Sequence, residues 1–123
     1  MSISGQTGED LACRYYQSLG YQLLDRNYIA PFGKQTGELD LVFQKDREIV
    51  FVEVKARSND KFGGPFEAVN WSKQRKLVNI AKMYMHLHPQ FADYNYRIDV
   101  AAADIDNVSE PVIILMNAIE DLN

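Results

Sequence analysis

Cysteine is almost absent from this sequence, since Cys13 is the single one among 123 residues. A lone cysteine can form no disulfide within the chain and offers no set of thiolates for a structural zinc site. No apolar run approaches the ~20 residues that a membrane-spanning helix needs. The first residues carry neither the basic nor the apolar stretch of a signal peptide. These absences predict a cytoplasmic protein that does not enter a membrane.

Basic charge is scarce overall, because 13 lysines and arginines face 17 acidic residues and leave a net charge of −4. Its distribution is uneven, however. Residues 34–82 carry a net charge of +3, whereas residues 83–123 carry −6. Local patches rather than the total charge set the electrostatic footprint for nucleic acid. Residues 34–82 are therefore compatible with a nucleic-acid-binding face, and also with an ordinary solvated surface.

The hydrophobic fraction, 46%, is typical of a globular protein, and 123 residues suffice for one domain with a buried core. We therefore expect a single domain over residues 1–123. Apolar spacing and glycine or proline punctuation predict two helices and five strands. In chain order these are helix 7–19, strands 21–27, 37–43 and 49–55, helix 71–87, and strands 96–101 and 112–115. Such an order predicts an α/β fold with a central mixed sheet flanked by helices.

The strands predicted over residues 37–43 and 49–55 carry the most informative polar residues. Only a short polar gap separates them, so they should pair as an antiparallel hairpin. Because side chains alternate across a strand, Glu53 and Lys55 share one face of the second strand. Folding the hairpin brings Asp40 within one or two positions of Glu53, a separation of roughly 5 to 8 Å. Two carboxylates and an amine thus converge among apolar residues.

Two carboxylates held together resist ionising together, and a divalent cation between them removes that conflict. Mg²⁺ prefers oxygen ligands and usually takes one or two carboxylates, waters and phosphate oxygens. A lysine beside such an ion could stabilise charge that develops on a phosphate. The pattern of Asp40, Glu53 and Lys55 is thus typical of a phosphodiesterase site. A plain ion pair, with Lys55 answering one of the two carboxylates, explains the same pattern equally well.

The same residues also resemble the motif of a known protein superfamily. Asp40 followed by Glu53-Val54-Lys55 resembles the PD-(D/E)xK nuclease superfamily, also called restriction-endonuclease-like. The chain more closely resembles the YraN-type family of bacterial proteins, which is similar to archaeal Holliday-junction resolvases. The runs that carry this likeness are residues 37–42, 50–57, 62–65, 97–100 and 117–119. The resemblance implies an αβββαβ core. One departure is Leu39, which stands where the superfamily's naming proline would precede Asp40.

The resemblance also implies a metal site and its ligands. Mg²⁺ or Mn²⁺ would bind Asp40 and Glu53, and Lys55 would be catalytic. The run Gly5-Gln6-Thr7-Gly8-Glu9 matches the opening pattern of the family, which makes Glu9 a candidate third carboxylate with a catalytic role. Read from the sequence alone, Glu9 is a first-turn glutamate that suits the helix dipole. Glu38, on the face of the candidate site, could bind metal or cap the loop.

Four residues are candidates for contacts with nucleic acid. Arg57 follows the hairpin and could bind a phosphate bidentately, or pair with a nearby carboxylate. Lys73 and Lys76 flank the polar face of the second helix, and an ordinary wet helix face would look the same. Gln74 lies on the apolar side near the start of that helix, where it could orient a water or a phosphate.

The expected function is that of a metal-dependent endonuclease that hydrolyses nucleic-acid phosphodiester bonds. DNA is expected more than RNA, and branched DNA is a candidate substrate because of the resolvase likeness. A junction resolvase acts on two strands symmetrically, which would require a homodimer. The alternatives are a non-catalytic nucleic-acid-binding module that keeps the nuclease fold, and a protein-interaction domain. Asp99 is predicted to be structural, as a partner of Arg97 or a lysine.

Overall fold

The chain folds in the order helix, three strands, helix, two strands. A computed structural model describes residues 5–31, 37–56 and 69–119. Its elements are α1 (Gly5–Ser18), β1 (Gln22–Ile29), β2 (Glu38–Lys45), β3 (Glu48–Ala56), α2 (Trp71–Leu87), β4 (Asn95–Ala103) and β5 (Val112–Leu115), with a single 3₁₀ turn at Pro89–Phe91. The first six of these helices and strands confirm the expected αβββαβ order.

The five strands form one mixed sheet in the order β1-β2-β3-β4-β5. β1, β2 and β3 form an antiparallel meander, and β5 is antiparallel to β4. β3 and β4 run parallel, so the chain must cross from one end of the sheet to the other between them. α2 lies within that crossover. The sequence-based expectation of an α/β fold with a restriction-endonuclease-like core is confirmed.

The two helices pack on opposite faces of the sheet. One core cluster joins α2 to the sheet through Leu77, Ile80 and Tyr84, and a second joins α1 to it through Ala12 and Tyr16. Central strands are therefore covered on both sides, which explains why β2 and β3 are almost continuously apolar. Among the described residues, no helix is long and apolar enough to cross a membrane.

Local signals in the sequence set the bounds of the helices. α2 begins at the predicted residue because the Asn70 side chain accepts a hydrogen bond from the Lys73 N–H, and it ends at the predicted residue shortly before Pro89. α1 begins two residues before its predicted start at Thr7. Within it, a Cβ on Gly8 would lie 3.6 Å from the Ala103 Cβ. At Gly8, α1 thus lies within van der Waals reach of the sheet.

Asp99 is fully buried in β4 and is the centre of a polar network. Its carboxylate accepts hydrogen bonds from the Tyr16 hydroxyl at 2.8 Å, the Arg97 Nε at 3.0 Å and the Asn117 N–H at 2.8 Å. Burial, together with the Asp99 charge, raises the pKa of Tyr16 above its usual range. The structural role and the Arg97 partner predicted for Asp99 are confirmed. The network ties α1 and the segment after β5 to the middle of the sheet.

Asp99→Asn should destabilise the protein by about 1.5 to 3 kcal/mol, because it removes the buried charge that binds Arg97, while Glu48 keeps its own ion pair with Arg97. Urea denaturation monitored by circular dichroism measures this loss. Asp93→Asn is the matched control, since Asp93 pairs with Arg47 at an exposed site and its loss should cost below about 1 kcal/mol. Equal destabilisation by both substitutions would contradict the structural role assigned to Asp99.

Candidate functional site

The β2–β3 hairpin brings Asp40 and Glu53 together. Its register pairs Leu41 with Val52, so Asp40 and Glu53 are the next residues along the two strands, and the Glu53 carboxylate is close enough to raise the pKa of Asp40. The Asp40 Oδ2 accepts a hydrogen bond from the Val54 N–H at 2.8 Å, which fixes the carboxylate against β3. Asp40 is 8% exposed and Glu53 5% exposed. The predicted hairpin and the predicted proximity of these two residues are confirmed.

A cavity of about 270 Å³ opens beside this pair. Residues of α1, of the strands and of the first turns of α2 form its walls. The charged side chains that line it are the acids Glu9, Glu38, Asp40 and Glu53 and the lysines Lys73 and Lys76. A site with this mixture of charges can hold a cation through its carboxylates and an anionic ligand through its amines.

Gly37 forms part of the cavity wall at the start of β2. Its φ of +107° lies in a region that residues with a Cβ rarely adopt. A Cβ at this position would lie 3.9 Å from Lys76 atoms and 4.0 Å from Ile80, so the backbone of β2 runs close to α2 here. The positive φ, rather than a lack of space, is therefore the reason for a glycine at the point where the chain enters β2 beside α2.

Two amines converge on Glu53. The Lys73 Nζ lies 3.0 Å from the Glu53 Oε1, and the Lys55 Nζ lies 3.6 Å from the same oxygen. The two lysine side chains also interact with each other. Burial and the adjacent Lys73 lower the pKa of Lys55. The plain ion pair that the sequence allowed as an alternative role for Lys55 is thus present, with Glu53 as the partner. Lys73 forms a second ion pair with the same carboxylate.

The charge on Asp40 is less well compensated. Burial raises its pKa from 3.8 to about 7, and the nearby Glu53 carboxylate adds to this shift, while the hydrogen bond from Val54 opposes it. The anionic form of Asp40 is therefore costly in the folded protein. A bound cation would remove that cost, which is an independent reason to consider a metal at this position.

The donor chemistry of the pair fits a hard cation. Two carboxylates supply oxygen ligands, and Mg²⁺ commonly takes only one or two carboxylates and completes its coordination with water and substrate oxygens. Across residues 5–31, 37–56 and 69–119, no three His, Cys, Asp or Glu side chains group closely enough to hold an ion. The site therefore suits an ion held by Asp40 and Glu53 with water or a phosphate, rather than one enclosed by protein.

Comparison with known sequences identifies the family. The sequence model of the Uncharacterised protein family UPF0102 matches residues 8–103. The chain belongs to this family. A UPF0102 protein of Vibrio parahaemolyticus is 40% identical over 117 residues, which cover 95% of this chain and 92% of that protein. A UPF0102 protein of Clostridium perfringens is 41% identical over 96 residues, or 78% of this chain and 75% of that one.

A UPF0102 protein of Chloroherpeton thalassium is also similar, at 40% identity over 102 residues, which cover 83% of this chain and 75% of the relative. These matches confirm the YraN-type resemblance drawn from the motifs. The matched names state a family and no activity, so the function of this UPF0102 member has to be argued from its site.

Glu9, the candidate third carboxylate, lies on α1 and lines the cavity, and its carboxylate contacts Arg26 of β1. Its Oε1 lies 3.5 Å from the Arg26 Nε, and the other end of that guanidinium binds Asp10 at 2.6 Å. In the orientation that satisfies both of its amide atoms, Asn27 donates to the two Glu9 oxygens at 3.1 and 3.2 Å. Glu9 as a metal ligand remains a prediction, and Arg26 would compete with the ion for it.

The candidate nucleic-acid contacts divide into three groups. Lys73 and Lys76 both line the cavity, as a role at a phosphate requires. Gln74 does not line it, and the Gln74 Nε2 donates to the Val69 carbonyl at 2.9 Å beside the start of α2. Arg57 lies outside the described residues.

Sequence reasoning missed two contacts of the site. It gave no partner to Glu9, although Arg26 lies on the neighbouring strand β1, and it did not pair Lys73 with Glu53. Neither contact leaves a signal in residue spacing, because each joins elements that only the folded sheet brings together. The exposed acid Glu38 lines the cavity, in agreement with its predicted face.

Asp40→Asn should stabilise the protein at pH 8 in the presence of a chelator. The folded state raises the pKa of Asp40 from 3.8 to about 7, so it binds the proton more tightly than the unfolded chain does. Stability from this group is present below about pH 4 and is lost as the pH rises toward about 7. We expect a gain of about 2 to 4 kcal/mol at pH 8, which vanishes near pH 4.

Urea denaturation at several pH values measures this difference. Asp46→Asn is the matched control, because Asp46 is exposed in the β2–β3 turn and has a φ of +53°, which asparagine also tolerates. A gain in Asp40→Asn that does not depend on pH would show that Asp40 ionisation is not its cause.

Proposed function

We propose that this protein is a metal-dependent endonuclease that hydrolyses phosphodiester bonds in nucleic acid. The observation that supports the proposal most is the nearly buried pair of Asp40 and Glu53, which both line a cavity that is also lined by amines. A purely structural pair of like charges would be destabilising there, because burial and the Glu53 charge both raise the pKa of Asp40.

Each residue of the site has a distinct task in this proposal. Asp40 and Glu53 hold Mg²⁺ or Mn²⁺. The bound ion would supply a polarised phosphate oxygen and a water of lowered pKa. Lys55 places its amine beside Glu53, where it can stabilise charge that develops on the phosphate. Lys76 is exposed at the cavity and can bind a neighbouring phosphate of the backbone.

The proposed substrate is DNA rather than RNA, with branched DNA as the first candidate, on the strength of the resolvase likeness. Symmetric cutting of a junction needs two copies of the site, so the proposal includes a homodimer. It also includes the cytoplasm as the site of action, since Cys13 is buried as a free thiol and the chain has no disulfide.

The test is cleavage of labelled single-stranded, duplex, flap and four-way-junction DNA and of RNA, each with Mg²⁺, Mn²⁺ or chelator. We expect one substrate to be cut only with metal, and Lys55→Ala to lower the rate about 100-fold or more by removing a charge at the developing anion. Lys45→Ala is the matched control, because Lys45 lies at the far end of the same hairpin and donates to the Leu19 carbonyl.

A rate equal in Lys55→Ala and Lys45→Ala would contradict the role given to Lys55. No cleavage of any substrate under any condition would contradict the endonuclease proposal. Light scattering on the same samples measures the mass of the protein in solution and so reports its oligomeric state.

One observation favours a second candidate, a nucleic-acid-binding module without catalysis. Glu53 already has two amine partners in Lys55 and Lys73, so half of the acidic pair is balanced by the protein itself. A binder of this kind would hold DNA equally well with Mg²⁺ and with chelator and would cut none of the substrates. Its binding would still weaken steeply with salt, because amines that contact phosphates release counterions.

A further inference from the structure

Lys73 occupies an unexpected position in the site. It lies in the first turn of α2, where Asn70 accepts its N–H at 2.9 Å and so fixes its backbone over the cavity. Its Nζ lies 3.0 Å from the Glu53 Oε1, closer than the Lys55 Nζ at 3.6 Å. Of these two amines, the nearer one therefore comes from the helix and not from the strand motif.

The side chains of Glu53 and Lys73 differ in their exposure to solvent. The Glu53 side chain is 7% exposed within a central strand, whereas the Lys73 side chain is 39% exposed. The lysine ammonium sits on a flexible four-carbon stem, so it can leave the carboxylate without any movement of α2. A cation that binds the same Glu53 oxygen must displace this ammonium or share the oxygen with it.

We propose that Lys73 is an exchangeable counter-ion, which holds Glu53 in the metal-free protein and transfers to a nucleic-acid phosphate when the carboxylates bind metal. This inference rests on the proposed function. Lys76 follows Lys73 by three residues on α2, so the two side chains are neighbours on the helix surface. Both line the same cavity, so a phosphate between the two amines is within reach of both. Metal binding and phosphate binding then favour each other, because the metal frees the amine.

The first test measures Mn²⁺ affinity without nucleic acid, by isothermal titration calorimetry. Lys73→Met keeps the apolar stem and removes the competing charge, so we expect Mn²⁺ to bind about three- to fivefold more tightly than to the wild type. Lys76→Met is the matched control, with the same charge change on the same helix, and should alter the affinity less than about twofold because an exposed charge is screened. Lys73→Arg should behave as the wild type.

The second test measures binding of a labelled DNA strand by fluorescence anisotropy, in a Lys55→Met background that suppresses cleavage. Adding Lys73→Met should weaken binding several-fold with Mn²⁺ present and hardly at all with chelator. Adding Lys76→Met should weaken binding by the same factor in both conditions. This difference separates an exchangeable amine from one that always contacts phosphate.

The outcomes separate this inference from the proposed function. If the wild type does not bind Mn²⁺, or if Asp40→Asn binds it equally well, both the metal site and the role of Lys73 are overturned. If Asp40→Asn abolishes Mn²⁺ binding while Lys73→Met and Lys76→Met bind it alike, only the exchange is overturned. Lys73→Gln provides a second variant should Lys73→Met lower the yield of folded protein.

Discussion

The repulsion between Asp40 and Glu53 is the constraint around which this protein is arranged. The β2–β3 hairpin brings the two carboxylates to the wall of one cavity, where each residue is less than one-tenth exposed. Burial and the Glu53 charge raise the pKa of Asp40 there, so the ionised form of Asp40 is costly unless a cation binds beside it. The structure answers with two amines on Glu53, whereas Asp40 receives a backbone N–H and retains a raised pKa.

The helix α2 matters to the site as much as the strands do. It begins at a cap formed by Asn70, and that start places Lys73 against Glu53 and Lys76 at the cavity. Gly37 supplies the positive φ with which the chain enters β2 beside this helix. The strand motif thus provides the acids, and the helix provides amines whose contacts depend on what the acids bind. The charge state of the carboxylates is thereby linked to the amines of α2 that would bind a phosphate.

Another buried acid, Asp99, is paired in register with Val52 and bonds to Tyr16 on the face of the sheet that α1 covers. The long parallel pairing of β3 with β4 holds the strand of Glu53 next to the strand of Asp99. Asp99 is satisfied by Tyr16, Arg97 and a backbone N–H, so this buried acid is structural, unlike the pair in the cavity. Two buried acidic centres therefore differ in kind: one is fully bonded within the protein, and the other has capacity left for a ligand.

The sequence by itself determined the order of elements, the bounds of α2, the hairpin and the proximity of Asp40 to Glu53. These follow from short-range rules: apolar periodicity, glycine and proline punctuation, and the alternation of side chains along a strand. Only the tertiary structure decided that Lys73 lies nearer to Glu53 than Lys55 does, and that Arg26 holds Glu9. The reason is physical: the Lys73–Glu53 and Arg26–Glu9 contacts each join a helix to a strand, so their geometry depends on how the helices pack on the sheet. Residue spacing along the chain carries no record of that packing.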